Sequence, residues 1–155
     1  MIKNHFPHLD KVLAFFINFS FILMIAVVSL QIVARYALPW SPNWTEELAR
    51  FCFIYMVSLG AALAVKDNGY VSVNTFLDRL TPRIKRWVEI IILVLIILLM
   101  MTMFIFSIPL VKIVSLQISP SLNLNMSIMY AAMGFMGFFV SFYSSIQLYK
   151  KYKNL

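Results

Sequence analysis

Apolar positions run through most of this chain in four long stretches, and polar residues collect in the short segments between them. This pattern predicts four membrane-spanning helices, over about residues 12–35, 44–65, 83–115 and 126–149. Each stretch can cross a hydrocarbon core of about 30 Å at a rise of about 1.5 Å per residue. The third is longer than a bilayer requires, so we expect it to tilt, protrude or bend, with Pro109 as the site of a bend. The predicted fold is an all-α integral membrane protein with a single membrane domain over residues 1–155.

The period of apolar residues changes between the second and third stretches. Four apolar residues recur there at the spacing of one helix face, with polar residues opposite: Val73, Phe76, Leu77 and Leu80. The spacing predicts a short amphipathic helix over about residues 72–80, lying on the membrane surface, and a surface loop is the alternative. The third helix then begins at Thr81-Pro82. Its first turns carry residues that we expect to anchor it among the lipid headgroups: Arg83, Lys85, Arg86 and Trp87.

The charged residues indicate the orientation in the membrane. With 62% hydrophobic and 12% charged residues, the chain lies outside the range of ordinary soluble domains. The net charge of +7 comes from short clusters between the apolar stretches, which is typical of membrane topology signals and excludes a nucleic-acid partner. If both termini are cytoplasmic, Arg35, Arg50 and Lys112 are the only Lys or Arg residues on the outer side. The positive-inside rule therefore predicts cytoplasmic termini.

Residues 41–50 form the one segment in which acidic residues cluster, directly before the second apolar stretch. Asn43 is expected to cap a helix there, with Glu46 in a capping box and also four residues before Arg50, a spacing that permits an ion pair. One interpretation is a capped helix at the membrane interface. The other is a partner-binding site, because Trp and Arg are enriched at protein interfaces. The interface candidates are Arg35, Trp40, Trp44, Glu46, Glu47 and Arg50, with Arg35 as the expected intrachain partner of an acidic side chain.

Small residues recur at a spacing of four in the second and fourth stretches, which permits close helix packing in a membrane. The candidates for such packing are Ser58, Gly60, Ala62, Ala64, Gly137, Ser141 and Ser145. The uncharged part of each stretch contains no Asp, Glu, Lys, Arg or His. Such residues mark ion paths, proton relays and cofactor sites in membranes, so we expect no catalytic residue, no metal, no cofactor and no transport path in this chain alone.

Several motifs resemble, in order, those of the small membrane subunit of tripartite ATP-independent periplasmic (TRAP) transporters, the DctQ type. The most specific motif is Trp44-Thr45-Glu46-Glu47-Leu48-Ala49-Arg50. The others are Gln31–Tyr36, Gly60–Lys66, Gly69–Val73 and the basic segment after Thr81-Pro82. The sequence departs from the family pattern at Tyr70, where a His is common, and near Tyr55, where a Trp is common.

The resemblance implies a bacterial inner-membrane complex with two partners, a periplasmic substrate-binding protein and a large multi-span membrane subunit. In that family the large subunit moves an organic acid with sodium by an elevator motion, and the small subunit would brace its scaffold. Sialic acid and C4-dicarboxylates are typical substrates, and general likeness favours sialic acid. A standalone four-span adaptor or a homo-oligomeric channel is the alternative, and a haem or other membrane enzyme would need ligands that this chain lacks.

Overall fold

The computed structural model describes residues 7–37, 42–67 and 81–153, apart from the side chains of Pro82 and Arg83. Within these ranges the chain forms four α-helices and no β-strand: α1 Pro7–Ala37, α2 Trp44–Lys66, α3 Pro82–Val114 and α4 Ser127–Lys153. All four are long and apolar enough to cross a membrane, so the prediction of an all-helical protein with four such helices is confirmed. The predicted amphipathic helix over 72–80 and the interface candidate Trp40 lie outside the described residues.

The helices pack in the spatial order α1–α2–α4–α3, because α2 contacts both α1 and α4 while α3 packs mainly against α4. The inner helices α2 and α4 have 28% of their most apolar segments buried, against 11% for the outer helices α1 and α3. The protein is therefore a row of helices rather than a closed bundle. Each outer helix keeps a large apolar face for lipid or for another protein.

The core lies where α1, α2 and α4 meet. Its buried members form one cluster: Leu13, Leu59, Ala62, Val140 and Tyr143. Ala62 is completely buried and carries only a methyl group, so it permits close packing of α2 within this cluster.

Helices α3 and α4 approach each other closely at two glycines of α4. A Cβ atom at Gly137 would lie 2.7 Å from the carbonyl oxygen of Met100 and 2.9 Å from the backbone nitrogen of Phe104. A Cβ atom at Gly134 would lie 2.8 Å from Oγ of Ser107. The absence of side chains at these two positions sets the distance between the helices. Helix α3 continues through Pro109 and ends at Val114.

The start of α2 differs from the expected capping box. The side chain of Asn43 makes no capping hydrogen bond, and its backbone is already helical, with φ −65° and ψ −24°. Asn43 therefore stands at the predicted cap position directly before α2, but its side chain does not cap the helix, because a side-chain cap needs an extended backbone there. Thr45 bonds to this turn instead, since its Oγ1 donates to the carbonyl oxygen of Pro42 at 2.7 Å.

Candidate functional site

Polar side chains collect at the two ends of the helix row. We call the end formed by residues 42–50 and 115–126 the loop end. The opposite end, formed by the first turns of α1 and α3 and the last turns of α2 and α4, is the termini end. Ion pairs lie at both ends, and the apolar segments of the helices lie between them.

The segment from Ser115 to Met126 at the loop end is a compact turn held by its own backbone. Ser119 N–H donates to the carbonyl oxygen of Leu124 at 2.8 Å, and Asn123 N–H donates to that of Ser119 at 3.1 Å. Asn123 has φ 53°, a left-handed conformation that Asn tolerates better than most residues. Asn125 then caps α4, because its Oδ1 accepts a hydrogen bond from Ser127 N–H at 2.9 Å.

The carboxylate of Glu47 joins the start of α2 to this turn. Its Oε2 accepts hydrogen bonds from the backbone N–H groups of Leu122 at 3.0 Å and Ser121 at 3.2 Å, and another from the hydroxyl of Ser119. Successive backbone N–H groups in a turn form a concave site that favours an anion. Glu47 therefore fixes α2 relative to the α3–α4 connection through charge-assisted hydrogen bonds.

Glu46 and Arg50 occupy the exposed side of the same helical turn. The Nη2 atom of Arg50 lies 3.0 Å from Oε1 of Glu46, and the two side chains are 66% (Glu46) and 56% (Arg50) exposed, so the predicted pairing of these residues is present. Trp44 is 40% exposed beside them. The side chains thus divide into Glu47, which contacts the chain itself, and Trp44, Glu46 and Arg50, which keep exposed surface.

Arg35 lies at the end of α1 and is exposed. No carboxylate of the described residues forms an ion pair with it, so the expected pairing of Arg35 with an acidic side chain is not found among them. Glu47 instead uses hydrogen-bond donors of the turn more than 70 residues away in sequence. Those donors are mostly backbone groups, which carry no sequence signal, and this explains why sequence reasoning missed the contact.

The termini end is held by a second network that the sequence did not indicate. Asp10 lies 2.7 Å from Nζ of Lys66 and accepts a hydrogen bond of 2.7 Å from the hydroxyl of Tyr143, so it joins α1 to α2 and α4. Gln147 donates to the carbonyl oxygen of Lys66 at 3.1 Å, which satisfies a free carbonyl at the end of α2. Lys151 pairs with Glu89 at 2.7 Å and joins α4 to α3.

The other predicted positions differ in their surroundings. The buried small residues are Ser58, Ala62, Gly137 and Ser141, whereas Ala64 and Ser145 are exposed. A Cβ atom added at Gly60 would have no neighbour within 4 Å.

Of the headgroup-anchor candidates, Trp87 is 57% exposed, Arg86 is exposed and Lys85 is partly buried. The described residues contain no group of three or more His, Cys, Asp or Glu side chains that could hold a metal ion.

The sequence matches the model of one protein family over residues 24–154, and the family is described as the DctQ component of tripartite ATP-independent periplasmic transporters. The chain belongs to the DctQ family. The match covers the loop end and three of the four helices completely, together with part of α1. The resemblance of the sequence to this family is therefore confirmed.

Individual relatives agree with the DctQ assignment. A protein of Haemophilus influenzae described as a TRAP transporter small permease protein is 26% identical over 147 residues, which cover 93% of this chain and 89% of the relative. The small permease protein SiaQ of the sialic acid TRAP transporter of Vibrio cholerae is 37% identical over 62 residues, 40% of this chain and 36% of the relative. With four candidate spans, this DctQ chain is a multi-pass protein of the bacterial inner membrane. Membership of the family implies association with a large membrane subunit and a substrate-binding protein.

Proposed function

We propose that this chain is the non-catalytic small subunit that braces the scaffold of an elevator-type large membrane subunit. The observation that carries the proposal is the arrangement of the helices in a row, with charged networks at the two ends and apolar surface between them. A path for an ion or an organic acid needs polar groups inside the membrane. A supporting scaffold instead needs wide apolar faces and helices that are held together at both ends. The contacts of Glu47 hold the helices together at the loop end, and those of Asp10 do so at the termini end.

The complete transporter would take up an organic acid with sodium, after its capture by a periplasmic binding protein. SiaQ of Vibrio cholerae serves a sialic acid transporter by its name, so sialic acid is the first substrate to test here. Both termini would lie in the cytoplasm, as the distribution of Lys and Arg favours, and the loop end would face the periplasm.

The exposed side of the loop end is our proposed contact with the large subunit. Trp44 and Arg50 have the chemistry of interface hot spots, because they combine a large apolar area with hydrogen-bond donors. Glu46 orients Arg50 through the pair at 3.0 Å. Arg35 is exposed at the end of α1 and Trp40 lies between the two helices in sequence, so both are included in this contact.

Co-purification of the small and large subunits tests this proposal. Trp44→Ala and Arg50→Ala should each weaken the complex by about 2 kcal/mol or more and release the large subunit in detergent. Trp87→Ala is the matched control, since it removes an exposed Trp at the termini end. Membrane insertion of each variant is measured separately. Retention of the large subunit at the wild-type ratio by both loop-end variants would refute the proposed contact.

Glu47→Ala should act differently from these two substitutions, because Glu47 contacts the chain itself. We expect the isolated subunit to lose several degrees of melting temperature in detergent, since the turn at Ser119–Leu122 loses its anion. Glu46→Ala removes an exposed carboxylate from the same helical turn and should leave the melting temperature almost unchanged. Equal melting temperatures for the two variants would contradict the role assigned to Glu47.

A further inference from the structure

Helices α3 and α4 leave a groove of about 550 Å³ open between them near the loop end. Its floor lies close to the backbone of α4, because Ala131 and Gly134 carry almost no side chain there. Phe104 and Phe138 line the groove, and the centroids of their aromatic rings lie 5.7 Å apart. The groove therefore presents mainly apolar surface toward the hydrocarbon region.

The polar groups of the groove are distributed unevenly along it. Ser107 offers no free donor, because its Oγ donates to the carbonyl oxygen of Phe104 at 2.7 Å. Lys112 lies in the last turn of α3, at the loop end, and is exposed. No carboxylate among the described residues pairs with Lys112. One end of the groove thus has an available cation, and the other is aromatic.

The order of aromatic and cationic groups along the groove matches the order of acyl chain and headgroup in a membrane lipid. From Phe104 to Lys112 the helix rises about 12 Å at about 1.5 Å per residue, which leads from the hydrocarbon core toward the headgroups. An ammonium group at headgroup depth attracts anionic lipid. The volume lies within the roughly 300–1,000 Å³ of small-molecule sites, whereas a helix about 10–12 Å across could lie over the groove but not enter it.

We propose that this groove binds one anionic phospholipid. An acyl chain lies along the groove, against the rings of Phe104 and Phe138 and over Gly134, and the headgroup phosphate accepts hydrogen bonds from Nζ of Lys112. The site is independent of the proposed contact at Trp44 and Arg50. The bound lipid would lie against the outer helix α3, at the edge of the helix row.

Native mass spectrometry of the purified chain tests this site, with phosphatidylglycerol and phosphatidylcholine added separately to delipidated protein. Wild-type protein should retain one phosphatidylglycerol molecule, about fivefold more tightly than phosphatidylcholine. Lys112→Gln should remove this preference, and Ala131→Phe should prevent retention of either lipid by filling the groove. Arg35→Gln is the matched control, because it removes another exposed cation, in the last turn of α1, but leaves the groove intact. Circular dichroism verifies that each variant is folded.

Two results would overturn the proposal. One is the same preference for phosphatidylglycerol in wild-type protein and Lys112→Gln. The other is unchanged lipid retention by Ala131→Phe. If that variant also loses the large subunit on co-purification, the groove belongs to a protein partner. Loss of preference in Lys112→Gln and not in Arg35→Gln would support the lipid site.

Discussion

Replacing Asp10 with Ala is expected to lower the free energy of unfolding by about 3 kcal/mol, because it leaves a largely buried Lys66 without its partner. The side chains of Asp10 and Lys66 are only 12% and 16% exposed, and Tyr143 would lose its acceptor in the same step. Titration of the purified chain with SDS in mixed micelles, followed by circular dichroism, measures the change.

Two comparisons separate this effect from a general loss of charge. Glu46→Ala breaks the exposed pair with Arg50 and should cost less than about 1 kcal/mol. The double variant Asp10→Ala/Lys66→Met should recover part of the loss, since removal of both charges leaves no unpaired ion. If Asp10→Ala and Glu46→Ala lower the free energy of unfolding equally, the Asp10–Lys66 pair is not buried in the folded chain. The same conclusion follows if the loss in the double variant equals the sum of the losses in the two single variants.

Gly137→Ala is expected to have the next largest effect on the folding stability of the chain, about 1–3 kcal/mol of destabilisation. The new methyl group would meet backbone atoms of α3 at 2.7 Å and 2.9 Å. Backbone atoms cannot rotate away as a side chain can, so α3 and α4 must separate. The same SDS titration measures the loss.

Two other helical glycines, Gly134 of α4 and Gly60 of α2, provide a graded control series. At Gly134 the new methyl group meets only the side chain of Ser107, whose Oγ can rotate if it gives up its hydrogen bond to Phe104, so the cost should be smaller. At Gly60 nothing lies within 4 Å, and Gly60→Ala should be neutral or stabilise α2 by up to about 1 kcal/mol. A larger loss at Gly60 than at Gly137 would contradict this packing of the helices.

Apolar patterning by itself determined the number and type of the helices. In a membrane every backbone polar group must be satisfied internally, so an apolar stretch of sufficient length has few alternatives to a helix. The spacing of Glu46 and Arg50 likewise determined their pairing, because residues four apart are neighbours on any helix. The motif Trp44–Arg50 also identified the DctQ family, because its residues stand close together in sequence.

Only the tertiary structure decided which helices are neighbours and which polar groups meet. Lipid is as apolar as the helix faces, so hydrophobicity does not select a partner face, and close contacts such as that of Gly137 with Met100 decide the packing instead. From the sequence alone, either Glu46 or Glu47 of α2 could accept the hydrogen bonds that the turn at Ser119–Leu122 donates. The structure assigns it to Glu47 because that carboxylate faces the turn, while Glu46 faces Arg50 one helical turn along the exposed side.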